Sequence, residues 1–153
     1  MIDVYVLAPE RSGAAVSRFA DEWLRDGEPA ADEVEVPQYA DDPDAVFESP
    51  DDAVEWLLAR PHEPHGLYWR TPRGDGAAQA MLFFTTDGGL IAGLTVDDDA
   101  AAADWLRRLA GSVDARYGYV AFETPPPETA ADFRAAAAGA DPPRLVAGRI
   151  EEA

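Results

Sequence analysis

The sequence predicts an α+β fold: one domain over residues 1–153, with a largely antiparallel sheet and about four helices packed on it. Three observations carry this. Strand-like and helix-like segments alternate at both ends of the chain, whereas in the middle strand-like segments follow one another directly. The clearest pair, Ala80–Thr85 and Leu90–Val96, is separated only by Thr86-Asp87-Gly88-Gly89, and so short a connection makes an antiparallel hairpin that a wholly parallel sheet cannot contain. Four Trp, five Tyr and six Phe supply an interior, and a chain of 153 residues buries roughly two-thirds of the surface it exposes when unfolded.

The opening IDVYVLA is apolar on both alternating faces, which suits a central strand covered on two sides; Pro9 ends it. From Ser12 onward Val16, Phe19, Ala20, Trp23 and Leu24 form the apolar stripe of an amphipathic helix that Gly27 can close. Val34 and Val36 alternate with Glu33 and Glu35 as in a short edge strand, and Pro37 to Glu48 reads as an exposed loop. Ser49-Pro50-Asp51-Asp52 starts a second helix: the hydroxyl caps, proline suits the first helical position, and the carboxylates favour the positive end of the dipole. Its Val54, Leu57 and Leu58 face the core. A break at Arg60-Pro61-His62-Glu63-Pro64-His65-Gly66 precedes the strand GLYWR, and Pro72 to Gly76 forms another loop before the hairpin.

Asp97, Asp98 and Asp99 introduce a helix with the stripe Ala102, Trp105, Leu106 and Leu109, with Arg107 and Arg108 near its negative end and Gly111 closing it. Tyr117 to Phe122 reads as a strand. Beyond Pro125-Pro126-Pro127, Thr129 and Asp132 cap a short helix carrying Phe133 that stops at Gly139, and Leu145 to Ile150 is the last strand.

Charge bounds the function. Formal net charge is -18, with thirty acidic against twelve basic residues, and this opposes binding to nucleic acid or to an anionic membrane, both of which reward clustered Lys and Arg. Twelve of the acids lie between residues 26 and 55, where there is no Lys or Arg. The absence of Cys excludes a disulfide framework, a thiolate nucleophile and a Cys-based zinc site. All twelve basic residues are Arg, and Lys and Asn are lacking, a bias expected of a GC-rich bacterial genome. Met1-Ile2-Asp3 leads directly into a strand without a basic segment or long apolar run, so the expected location is cytoplasmic.

No catalytic signature stands out. His62 and His65 are the only histidines, and H-x-x-H around Glu63 offers metal ligands, but two prolines and a glycine make this stretch a solvent-facing loop rather than a helical H-E-x-x-H. The runs Asp97-Asp98-Asp99 and Asp41-Asp42-Pro43-Asp44 invite a divalent cation. The first is accounted for by capping, and the second breaks the EF-hand pattern, placing Val46 where the loop needs glycine and Asp52 where it needs glutamate. Gly74-Asp75-Gly76 lacks the features of a phosphate loop, and Ser12, Ser17, Ser49 and Ser112 sit at or near helix caps or faces with no nucleophile elbow. The expectation is a protein that is not an enzyme, with no metal, no cofactor and no catalytic residues.

What remains is the acidic block. A charge run often serves only as a solvated surface, but here Tyr39 and Phe47 lie among Asp41, Asp42, Asp44 and Glu48, and aromatic anchors ringed by charge are the pattern of a protein interface. Either aromatic can instead tuck into the core. In its size, its opening IDVYVLAPE, its acidic PQYADDPD loop and its hairpin MLFFTTDGGLIAGLTV, the chain resembles the small, acidic, cysteine-free immunity proteins that bacteria make beside polymorphic or contact-dependent toxins. The resemblance implies a cytoplasmic protein that binds one cognate toxin, often a basic nuclease, and blocks its active site or its fold. It carries over no functional residue. The alternatives are a general acidic adaptor or regulator, and a hydrolase using scattered carboxylates with His62 or His65.

Overall fold

The computed structural model describes residues 1–71 and 76–152. Within them an eight-stranded antiparallel sheet carries helices on both faces, so the α+β expectation holds. In chain order the strands and helices are β1 (Ile2–Leu7), α1 (Gly13–Trp23), β2 (Glu28–Pro29), β3 (Val34–Val36), β4 (Ala45–Phe47), α2 (Pro50–Leu58), β5 (His65–Arg70), β6 (Ala77–Phe84), β7 (Leu90–Val96), α3 (Ala102–Val113), β8 (Tyr117–Ala121), α4 (Ala130–Gly139), β9 (Arg144–Val146) and β10 (Arg149–Glu151). The sheet runs β10-β9-β8-β1-β7-β6-β5-β2, and β3 and β4 pair separately as a two-stranded ribbon. β1 is central, flanked by β7 and β8, as its two apolar faces require.

Alternation along the strands divides the interior into two layers. Val4 and Val6 of β1, Leu82 of β6 and Leu94 of β7 meet Phe19 of α1, Leu57 of α2 and Leu106 and Leu109 of α3 on one face. On the other, Tyr5, Leu7, Met81 and Ile91 pack beneath Ala130 and Phe133 of α4. Tyr68, Met81, Gly93, Tyr5 and Tyr119 form one row across five strands of this second face. A side chain at Gly93 would meet the Tyr5 ring at 2.8 Å, so glycine there makes room for the ring.

The predicted helix starts are present. Ser12, Ser49 and Thr129 accept hydrogen bonds from the amides of Ala15, Asp52 and Asp132, and Asp98 caps a short 3-10 turn ahead of α3. Asp87 does more than turn the β6–β7 hairpin, because its carboxylate accepts from the amides of Ala130 and Ala131 at 2.7 and 3.2 Å. Burial pushes that carboxyl up, but these bonds and one from Thr85 outweigh burial and hold it below the usual carboxylate value.

Several boundaries differ from the sequence expectation. α1 ends ahead of Gly27, with the Leu24 amide bonded to Ala20, and the chain then turns outward to pair Glu28–Pro29 with β5. α3 runs through Gly111, which has no neighbour to crowd a side chain, and stops at Asp114 in the left-handed region at φ 57°. The single strand expected over Leu145–Ile150 is a hairpin, turned by Ala147 and Gly148 at φ 51° and 82°. Ala45–Phe47 is not loop but β4, pairing Val34 with Phe47 and Val36 with Ala45. Of the loop expected at Pro72 to Gly76, the first four residues lie outside the described residues.

Candidate functional site

The acidic segment wraps the outer edge of β5. There β2 pairs for only two residues, and the next segment of edge is closed by a side chain: Gln38 donates from Nε2 to the Gly66 carbonyl at 3.1 Å and accepts the Gly66 amide at 3.0 Å. Gln38 thus stands in for a strand residue. The Ala30 amide completes the edge by donating to the Tyr68 carbonyl at 3.0 Å. β3 is anchored by Val34 and Val36, both buried, while Glu35 between them faces outward.

All twelve acids between residues 26 and 55 are exposed. Among the described residues only Glu28 of this group has an ion-pair partner, Arg70 at 3.8 Å. Asp41, Asp42, Asp44 and Glu48 therefore present free carboxylates along the PQYADDPD loop and β4. The two aromatics of that loop part company. Tyr39 is 87 % exposed, with its backbone in the left-handed region at φ 64°, a conformation that costs a residue with a Cβ roughly 1–2 kcal/mol. Phe47 is half-buried and packs on Trp56 of α2 with ring centroids 6.0 Å apart, so it fastens the ribbon to the body.

Between the ribbon and the β5 edge lies a cavity of about 280 Å³. Pro29, Val34 and Leu67 form apolar walls, and Glu33, Glu35, Tyr39 and Tyr68 also line it. The Tyr68 hydroxyl is pushed above its ordinary range chiefly by burial, then by Tyr39 and Asp3.

His65 also lines this cavity and departs most from expectation. It is not in a solvent-facing loop: it opens β5, is 6 % exposed, and its Nδ1 is buried without a hydrogen-bond partner. Burial pushes its pKa down to about 4, so the imidazole is neutral at physiological pH. The strand begins this early because Arg11 gathers the preceding break. Its guanidinium donates to the carbonyls of Leu57, Arg60 and Glu63 at 2.8, 2.8 and 3.0 Å, and to Thr85 at 2.9 Å. His62 stays exposed, with Nδ1 3.1 Å from the Thr86 carbonyl. The structure separates the two histidines, and among the described residues no group of three or more His, Cys, Asp or Glu side chains is placed to hold a metal ion.

Fold and site together define an antiparallel α+β domain with an acidic, cavity-bearing sheet edge. Comparison with protein-family models, with curated proteins and with solved structures found no match to the chain. Sequence reasoning missed His65, Gln38 and the cavity. The signal for His65 was the alternation His65, Leu67, Trp69, which continues the apolar face of GLYWR by one further position. Gln38 gave none, since its role depends on a strand 28 residues away. No helix of the described residues is long and apolar enough to cross a membrane.

Proposed function

We propose that this protein is a cytoplasmic binding module that docks a basic protein partner on the acidic edge, in the manner of an immunity protein neutralising a cognate toxin. One observation supports the reading above all: of twelve exposed acids in the block, eleven have no ion-pair partner among the described residues. Such a face repels itself and gains most when a basic surface covers it. Tyr39 supplies the exposed aromatic anchor, and Asp41, Asp42, Asp44 and Glu48 the charged surround, with Phe47 holding the platform from beneath. Approach is steered by charge and is sensitive to salt.

The test is affinity capture from the source cell's lysate, supplemented with the product of the adjacent gene, at low and high salt. One basic protein, bound at low salt, released at high salt and inhibited while bound, supports the immunity reading. The triple variant Asp41→Asn, Asp42→Asn, Asp44→Asn should then associate about tenfold more slowly at low salt with folding stability unchanged. Recovery of no partner at either salt, or a triple variant that associates as fast as the parent, overturns the assignment.

A further inference from the structure

We infer that the cavity at the β5 edge receives the cationic side chain of an Arg or Lys belonging to the docked partner. The identity of the occupant rests on the docking reading above; the chemistry of the cavity stands on its own walls. At about 280 Å³ it falls just short of the roughly 300–1,000 Å³ of pockets that enclose drug-sized ligands. That is room for one long side chain rather than a nucleotide or a peptide.

The lining suits such a chain from stem to tip. Pro29, Ala30 and Ala31, all exposed, offer apolar wall to an aliphatic stem. Glu33 and Glu35, both exposed, offer carboxylates to the charged tip, and Tyr39 and Tyr68 offer ring faces. No cation of the protein competes: among the described lining residues there is no Arg, and Arg70 further along β5 is engaged by Glu28 and by the Pro29 carbonyl. His65 adds an uncharged imidazole with an unpartnered Nδ1, so the buried wall does not repel a cation at neutral pH. The site is also pre-formed, since both ends of the Gln38 amide are committed to Gly66 and fix the loop that carries Tyr39.

The experiment is an NMR titration of the intact chain at low salt with N-acetyl-arginine amide and N-acetyl-lysine amide, set against the neutral N-acetyl-citrulline amide. The cationic amides should shift Gly66, Tyr68 and the His65 ring, and citrulline should not. Glu33→Gln with Glu35→Gln, at exposed positions, should weaken the amides about tenfold, as expected for loss of roughly 1.4 kcal/mol. The Asp41/Asp42/Asp44 triple variant should leave their affinity within about twofold. Equal binding of citrulline, no shift at these residues at tens of millimolar amide, or indifference to the Glu33/Glu35 change overturns the inference. Partner binding that tolerates Glu33→Gln and Glu35→Gln also overturns it while the docking reading stands. Amide binding without any protein partner overturns the docking reading and leaves the cavity a site for a cation.

Discussion

The two edges of the main sheet are closed by opposite means. At the β10 edge most charges are matched, Arg149 apart: Arg144 bonds Glu151 at 2.7 Å, Arg107 bonds Glu152 and Asp104, and Arg116 donates to the Ala147 carbonyl at 3.1 Å. At the β5 edge a two-residue strand and one glutamine side chain cover the backbone, and of the surrounding carboxylates only Glu28 is matched among the described residues, by Arg70. Both ends solve the problem of an open strand edge. Most cations at the first are spent on holding the chain's last strands, whereas of the twelve acids in the block around the second only Glu28 is paired inside the molecule, with Arg70, among the described residues. Charge that does no internal work is available to a partner, and this contrast supports the placement of a docking face at β5 rather than β10.

The largest effect expected from breaking the contrast is pH-dependent and comes from His65. Its folded pKa is about 4, below the 6.5 or so of a free imidazole, so between these values the unfolded chain binds a proton that the folded chain refuses. The resulting sign is loss of stability as pH falls: the contribution is whole above about pH 6.5 and shrinks steadily toward pH 4. Wild type should therefore lose about 2 kcal/mol more than His65→Phe between about pH 7 and pH 5, read from urea unfolding. Parallel pH profiles for the two proteins would show that the ring reaches solvent.

Next in size is Gln38→Ala. It uncovers the Gly66 amide and carbonyl on an otherwise closed edge, and the cost is about 1–2 kcal/mol of unfolding free energy. Hydrogen exchange at the Gly66 amide should accelerate well before global unfolding. An unchanged exchange rate would mean that the ribbon, not Gln38, protects this strand.

Why the sequence disclosed one part of the molecule and hid another follows from the same contrast. β1, the β6–β7 hairpin and the caps at Ser12, Ser49 and Thr129 are written in local pattern, because each draws its stability from residues within one turn or one strand. β2 and β4, of two and three residues, carry no period long enough to read and form only because a neighbour accepts them. Pro61, Pro64 and Gly66 signalled a loop through His65, and that signal was overridden by Arg11, whose bonds span 46 to 74 residues. The cavity was illegible for the same reason: its walls come from residues 29–31, 33–35, 38–39, Pro50, 65–68 and Gln79, which only the sheet brings together. Charge density alone marked the acidic segment, and Tyr39 stood out within it because no periodic apolar stripe claimed it; the structure leaves that ring exposed.

The smallest expected effect lies at the matched edge. Arg144 donates to the Ala138 and Ala140 carbonyls at 2.6 and 3.0 Å and to Glu151, joining the end of α4 to both strands of the terminal hairpin. Arg144→Ala leaves those carbonyls at a helix end that water can reach, so the loss is about 1 kcal/mol or less, smaller than for Gln38→Ala despite the larger number of bonds removed. Adding salt should diminish even that difference, since the Glu151 pair is half-exposed and screened. If Arg144→Ala instead costs more than Gln38→Ala at every salt concentration, then bonds at the β10 edge are the stronger closure, and the cheaply closed β5 edge is the one that opens first.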